Sequence, residues 1–155
     1  MDRYFYYESG TIGRILLMDN GEALTGLYFK ERREPVGEEN QSPVIKQACE
    51  ELTAYFNGEL KEFTVPVAPK GTEFQQKCWQ ALMNIPYGGV KSYGDIAREI
   101  GHPKAFRAVG GANNRNPISI IIPCHRVIGA DGSLTGYGGG MDAKEALLKL
   151  EGYLK

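Results

Sequence analysis

The stretch Ile120-Ile121-Ile122-Pro123-Cys124-His125-Arg126-Val127-Ile128 decides how the rest of the chain must be arranged. Three consecutive isoleucines predict a buried β-strand, because β-branched side chains favour strands and an apolar run belongs in a core. Pro123 has no N–H to donate to a sheet, so we expect the strand to end there and the chain to turn. A cysteine thiolate is a nucleophile, and a neighbouring imidazole can take its proton. The stretch therefore predicts a reactive cysteine at the edge of a packed core.

Length and composition limit the class of protein. The chain has 155 residues, of which 42% are hydrophobic and 24% charged, as in a soluble globular protein with one domain or two small ones. No apolar run approaches the roughly 18–20 residues that cross a bilayer, and the N-terminus lacks the features of a signal peptide. We expect a cytoplasmic protein that does not associate with membranes.

The three cysteines, Cys49, Cys78 and Cys124, are widely spaced and odd in number. This pattern is typical of a reducing compartment and not of a disulfide framework. Cys49 and Cys78 fall on apolar stripes of predicted helices, so we expect them to pack in the core. The sequence contains no Cys-x-x-Cys motif and no His-rich tract, so it does not predict a zinc site. We expect no metal and no cofactor.

Charge is distributed unevenly between the two halves of the chain. Residues 1–70 carry 8 Lys/Arg against 12 Asp/Glu, net −4, whereas residues 71–155 carry 10 against 7, net +3. The segment Pro69-Lys70-Gly71 lies at the change and is typical of a junction. We predict an N-terminal domain over 1–70 and a C-terminal domain over 71–155. A positive patch can bind phosphates, although a solvated surface often carries such charges as well.

The N-terminal half reads as an α/β module. Strands are predicted over 4–7, 12–18 and 23–29, with a hairpin turn at 19–21. We expect a surface loop over 31–41 and a short edge strand over 63–67. Between them, Ser42 and Pro43 predict the N-cap and first residue of a helix that ends at 57–58. We assign this module a supporting role only.

The C-terminal half is predicted to be mainly helical, with a helix-turn-helix pattern at its centre. Capping pairs predict helix starts after Thr72 and Ser92, and a third helix is predicted over 103–112. The third helix is unusually rich in small residues, and its two glycines cost about 1–2 kcal/mol relative to alanine. They allow its backbone to approach another surface closely. Packing against a second helix explains this feature as well as DNA contact does.

The last helix is predicted to begin at Asp142, which would cap it together with Glu145. Its buried stripe is expected at Ala143, Leu147, Leu150 and Leu154. Glu151 lies at the flank of that stripe, where a carboxylate can reach a histidine and hold its tautomer, as in hydrolase triads. On the residues alone it is one acid among several.

Several ordered motifs together resemble those of the methylated-DNA–protein-cysteine methyltransferases, also called O6-alkylguanine-DNA alkyltransferases. They lie at 91–93, 103–112, 116–117, 123–127, 136–137, 144–145 and 151–152. The resemblance covers residues 71–155 closely and the N-terminal half more loosely. It implies a ribonuclease H-like N-terminal module of antiparallel hairpins plus a helix, followed by a mainly α C-terminal domain with a winged helix-turn-helix.

The resemblance also implies roles for the matching residues. Cys124 would accept the alkyl group of O6-alkylguanine, and His125, held by Glu151, would act on it through a water. Asn116 would organise the site, and Tyr93 would donate a proton to the departing guanine. The product is a thioether, which water does not cleave, so the protein would act once per molecule. Activity towards O4-alkylthymine is left open.

Duplex DNA is the partner that the resemblance implies, bound through its minor groove by a monomer with the target base flipped out. Arg107 would fill the gap left by the flipped nucleotide. The other expected DNA contacts are Lys104, Ala105, Ala108, Gly110, Gly111, Ala112, Arg115 and Tyr93. The base pocket would consist of Val127, Tyr137 and Gly138. Gly138 stands where many members have serine, and since its backbone N–H is kept we expect a tuned pocket.

Two other classes of function remain open at this point. A cysteine hydrolase using Cys124, His125 and an acid would turn over through an acyl-enzyme, but adjacent side chains on a strand point to opposite faces. A non-catalytic helix-turn-helix DNA-binding protein would not need the acceptor cysteine, which this chain has.

Overall fold

The computed structural model describes residues 2–29, 33–134, 137 and 140–155. The chain forms two compact units, Met1–Pro69 and Lys70–Lys155. In the described part, none of the helices has the length and apolar character needed to span a bilayer.

The first unit is built on a four-stranded sheet with the order β3-β2-β1-β4. Its strands are β1 (Arg3–Glu8), β2 (Arg14–Asp19), β3 (Leu24–Phe29) and β4 (Glu38–Glu39). β1 and β3 are both antiparallel to β2, which confirms the three predicted strands and the hairpin turn. β4 pairs with β1 in parallel, inside the segment predicted to be a loop. The predicted strand at 63–67 is wrong: among the described residues it makes one bridge, from Leu24 to Val67, because Pro66 cannot donate to a ladder.

Helix α1 (Pro43–Phe56) follows the sheet and begins as predicted. The Ser42 side chain accepts a hydrogen bond from the N–H of Ile45 and donates one to Oδ2 of Asp19, at 3.2 and 2.6 Å. Ile45 and Leu52 are fully buried. Cys49 is only half-buried, since it lies at the edge of the apolar stripe and not at its centre.

In its described residues, the second unit contains four α-helices and two short strands. They are α2 (Glu73–Met83), β5 (Lys91–Ser92), α3 (Tyr93–Glu99), α4 (Phe106–Asn114), β6 (Val127–Ile128) and α5 (Met141–Leu150). The capping boxes of Thr72 with Gln75 and of Ser92 with Asp95 are both present, so these helix starts are confirmed.

Two helix starts differ from the prediction. α4 begins at Phe106 because the preceding residues form a turn, and its N-cap, Ala105, has no side-chain oxygen with which to cap it. α5 begins after Gly140, which has a φ of 98°, a conformation that glycine adopts readily and other residues rarely do. Asp142 consequently lies in the first turn of α5 and is not its cap. Its negative charge still favours that end of the helix.

The isoleucine run is buried as predicted, but it does not form a strand. The N–H of Ile122 donates to the carbonyl of Ile118 at 3.0 Å, which closes a turn. Ile120 has a φ of 73°, a left-handed conformation that is rare for a β-branched residue and ends any extended structure. After Pro123, Cys124–Arg126 forms a single 3-10 turn, and β6 then pairs with β5 in parallel.

Candidate active site

The 3-10 turn directs three functional side chains into the interior of the second unit. A 3-10 helix has about three residues per turn, so successive side chains point about 120° apart and do not alternate as on a strand. Cys124, His125 and Arg126 are all buried, with Cys124 only 3% exposed. The turn therefore removes the objection that adjacent residues must face opposite sides.

Glu151, at the end of α5, contacts both of the residues that follow the cysteine. Its Oε2 lies 2.7 Å from Nε2 of His125. The guanidinium of Arg126 donates to Oε1 through Nε at 2.7 Å and to Oε2 through Nη2 at 3.0 Å, and its Nη1 donates to the carbonyl of Ile85 at 2.7 Å. The contact of Glu151 with His125 was expected, whereas the shared contact with Arg126 was not. One buried carboxylate thus holds an imidazole and a guanidinium.

His125 is held as a neutral base. Burial lowers the pKa of His125, and the charges of Arg126 and Lys144 lower it further, against the opposing pull of Glu151. The neutral ring donates its Nε2–H to Glu151, which leaves the lone pair on Nδ1. Nδ1 is buried, and within the described residues it has no hydrogen-bond partner. The ring is therefore arranged to accept a proton at Nδ1.

The surroundings of Cys124 act in two opposite directions on its thiol. Burial raises the pKa of Cys124, because a thiolate loses its hydration in the core. Hydrogen bonds from the side chains of Asn116, Ser119 and Tyr137 lower the pKa, as does the charge of Lys144. The sulfur therefore rests as a thiol in a site equipped to stabilise the thiolate once it forms.

Lys144 is a fully buried cation beside this cysteine. Its Nζ donates to the carbonyl of Val127 at 2.6 Å. Burial lowers the pKa of Lys144 to about 8, and the charge of the Cys124 thiolate acts in the opposite direction. Sequence reasoning missed this role. The signal was the spacing, since Lys144 precedes Leu147 and Leu148 by three and four residues and so shares their buried face.

Two asparagines hold the backbone around the cysteine. Asn116 donates from Nδ2 to the carbonyl of Ile122 at 2.7 Å and accepts at Oδ1 from the N–H of Ile118 at 3.0 Å. Asn113, on the buried side of α4, donates to the carbonyl of Cys124 at 3.3 Å. Asn116 was expected at the site, and Asn113 was missed. Both amides fix the turn that presents the sulfur.

The two central helices present a separate, partly exposed surface that we call the α3–α4 surface. The side chains of Lys104, Arg107, Ala108 and Arg115 are exposed, and Ala105, Gly110 and Gly111 are half-buried. Ala112, expected among the DNA contacts, instead lies in the core, where its carbonyl accepts from Nε1 of Trp79 at 2.9 Å. Its helical position turns it inward. The ring of Tyr93 lies 3.9 Å from where a Cβ would stand at Gly110.

The structure describes two of the three residues expected in the base pocket. Val127 and Tyr137 are buried near the cysteine, whereas Gly138 lies outside the described residues, as does Gly136. In the ranges that the structure describes, no cluster of His, Cys, Asp and Glu could hold a metal ion.

Comparison with protein families identifies two matching domains. Residues 73–153 match the DNA binding domain of 6-O-methylguanine DNA methyltransferase, and residues 3–69 match its ribonuclease-like domain. The chain is 54% identical to the methylated-DNA–protein-cysteine methyltransferase of Methanosarcina acetivorans, over 96% of this chain and 97% of the relative. It is 52% identical to the protein of the same name from Mycobacterium leprae, over 90% and 87%.

Solved structures agree with this result. A crystal structure of the Mycobacterium tuberculosis O6-methylguanine methyltransferase matches with a TM-score of 0.89 and 49% identity, over 97% of this chain and 93% of that one. A second, titled as Mycobacterium tuberculosis OGT in complex with DNA, matches with a TM-score of 0.90 and 50% identity, over 96% and 92%. The buried cysteine, the histidine–glutamate pair and these matches lead to one conclusion: the chain belongs to the methylated-DNA–protein-cysteine methyltransferase family.

Proposed function

We propose that this protein repairs DNA by moving a methyl or other alkyl group from O6-alkylguanine to Sγ of Cys124. The observation that carries the proposal is the buried Cys124 next to a neutral histidine, His125, whose Nε2 is hydrogen-bonded to Glu151. The names of the relatives, and the DNA complex of the Mycobacterium tuberculosis protein, support the same activity.

The reaction is a displacement at carbon. Nδ1 of His125 takes the thiol proton through a bridging water, and Glu151 stabilises the imidazolium that results. The Cys124 thiolate attacks the alkyl carbon, so an S–C bond forms while the C–O6 bond breaks and its electron pair passes to the guanine. Tyr93 donates a proton to the departing base, where negative charge develops. The thioether product is stable to water, so each molecule acts once.

Access to the target requires that the base leave the DNA stack, at a cost of a few kcal/mol. We assign duplex binding to the α3–α4 surface, with α4 in the minor groove and Arg107 in the gap left by the nucleotide. Tyr93, Ala105, Ala108, Gly110 and Gly111 would lie along the groove, with Lys104 and Arg115 near phosphates. Among the described residues, no acidic side chain pairs with Lys104, Arg107 or Arg115. Their charge is therefore available to phosphates.

The fold of each unit and the base pocket are assigned on the same basis, as members of this family. We propose that α3 and α4 form a winged helix-turn-helix within the DNA-binding and alkyl-acceptor domain, and that residues 1–70 form a ribonuclease H-like supporting domain. Val127, Tyr137 and Gly138 would contribute to the base pocket. The short, largely exposed turn between α3 and α4 and the sheet with one helix in the first unit support these assignments.

The test is incubation of the protein with duplex DNA that carries isotope-labelled O6-methylguanine, followed by peptide mapping by mass spectrometry. We expect one label per protein molecule, on Cys124, and none in a Cys124→Ser variant. Label on Cys49 or Cys78, or removal of several methyl groups per protein, would contradict the proposal. An acyl-enzyme that turns over with esters would instead identify a cysteine hydrolase.

A further inference from the structure

Phe106 is an unusual residue at the start of α4. Its side chain is 50% exposed, the highest exposed fraction of any large apolar side chain in the described part of the chain. It lies in the first turn of the helix, where Arg107 and Ala108 are exposed as well. A phenylalanine that stays half exposed buries little apolar surface on folding, so its ring remains available to contact a partner beside the exposed Arg107.

The geometry of α4 places this ring on a defined side of the α3–α4 surface. Gly110 follows Phe106 by four residues, so both lie on one face of the helix, one turn apart. That face is the one against which the ring of Tyr93 packs, since a Cβ at Gly110 would lie 3.9 Å from it. At Gly111, apart from its two neighbours and the backbone of α4 itself, no described atom lies within 4 Å of where a Cβ would stand. The helix backbone is therefore open to close approach next to two aromatic residues.

We propose that Phe106 is a DNA-positioning residue that wedges its ring against a base step beside the flipped nucleotide, adjacent to Arg107. The proposal rests on the proposed function, because it needs α4 in the minor groove. Apolar side chains inserted between base steps from the minor groove unstack them and bend the duplex. The step next to an extruded nucleotide has lost one stacking neighbour, and an aromatic ring can replace it.

Arg107 and Phe106 would replace different interactions of the missing base. The guanidinium is a hydrogen-bond donor and can replace the polar edges of the missing base. The phenyl ring can replace only its stacking surface. Because every base has a π-face, the contribution of Phe106 is expected to be independent of the neighbouring sequence. The pair thus compensates for both interactions that the target base gives up.

The experiment compares Phe106→Ala and Phe106→Leu with Met83→Ala, the matched control. Met83 ends α2 and is 46% exposed, but it lies outside the α3–α4 surface. We measure the Kd for a duplex containing O6-methylguanine, using proteins that also carry Cys124→Ser so that no transfer occurs. With Cys124 intact, we measure single-turnover transfer from the same duplex and from the free base O6-methylguanine.

For Phe106→Ala we expect about a fivefold or greater loss in duplex affinity, the lower end of what one stacked aromatic contributes. Transfer from the free base should stay within about twofold of the wild type, since no base stack is opened. Phe106→Leu, which keeps an apolar wedge, should fall between the wild type and Phe106→Ala. A duplex with fluorophores at both ends should bend less with Phe106→Ala, as measured by energy transfer.

Three results would overturn the proposal. They are duplex affinity equal to that of Met83→Ala, equal loss of transfer from the duplex and from the free base, or loss of folded structure by circular dichroism in both Phe106 variants. The last two would make Phe106 a supporting residue of the fold. Failure of the wild-type protein to methylate Cys124 from either substrate would instead refute the proposed function itself.

Discussion

Glu151→Gln tests the central buried contact of the site. The two oxygens of Glu151 accept from three N–H groups, Nε2 of His125 and Nε and Nη2 of Arg126. Glutamine has the same shape but keeps one acceptor oxygen and turns an NH2 group towards the remaining donors. The guanidinium of Arg126, which is 7% exposed, then stays buried without a counter-charge.

Removing one partner of a buried ion pair costs about 3–5 kcal/mol, because the other charge remains desolvated. We expect a loss in this range for Glu151→Gln. Glu145→Gln is the matched control, since Glu145 lies on the same helix and is exposed. There the loss should stay within about 0.5 kcal/mol. Transfer to Cys124 should slow by about tenfold or more in Glu151→Gln, because the imidazolium loses its carboxylate.

Urea unfolding measures the stability change. Trp79 is the single tryptophan of the chain and is buried in the second unit, so its fluorescence reports on the unit that holds the site. The double variant Arg126→Met with Glu151→Gln should be more stable than Glu151→Gln alone, since no lone charge remains, yet equally slow in transfer. A Glu151→Gln protein within 1 kcal/mol of the Glu145→Gln control, or a double variant no more stable than the single one, would refute this reasoning.

Three further predictions concern charge. Burial holds the pKa of His125 below its ordinary value of about 6.5. Below about pH 6.5 the unfolded chain therefore binds a proton at His125 that the folded chain does not. The free energy of unfolding should fall by up to about 1.4 kcal/mol for each pH unit of acidification in that range. Urea unfolding at pH 7.5 and 5.5 measures this, and a variant without His125 that shows the same pH dependence would contradict it. Lys144→Met removes a cation that favours the Cys124 thiolate, so the rise of the transfer rate with pH should move to higher pH; an unchanged pH–rate profile would remove Lys144 from this role. Arg107→Ala should slow repair of duplex DNA far more than transfer from free O6-methylguanine, and equal losses on both substrates would exclude Arg107 from base flipping.

Local features of the fold were predictable because they depend on neighbouring residues. A serine or threonine with a partner three residues later caps a helix through contacts within one turn, and both such capping boxes in the second unit are present. The start of α5 was predicted incorrectly for a related reason. Asp142 resembles a cap, but Gly140, with its positive φ, is the N-cap and lies two residues earlier.

The isoleucine run shows where local pattern stops being sufficient. Its apolar composition determines that it is buried, but burial is compatible with either a strand or a buried turn. The amide of Asn116 accepts and donates hydrogen bonds across the segment and closes it into a turn. Only the folded chain shows which backbone groups that amide reaches.

A string of adjacent residues and a set of ordered motifs were enough to predict Cys124 as the nucleophile beside His125 and to identify the family, because that information lies in the order of residues along the chain. The tertiary structure decided the chemical state of the site. His125 and Glu151 are 26 residues apart in the chain, and their contact selects the ring nitrogen that is free to accept a proton. Arg126, on the same carboxylate, and the buried Lys144 lower the pKa of His125, and Lys144 also lowers that of Cys124. These effects depend on burial and on the distance between charges in three dimensions, and not on order along the chain.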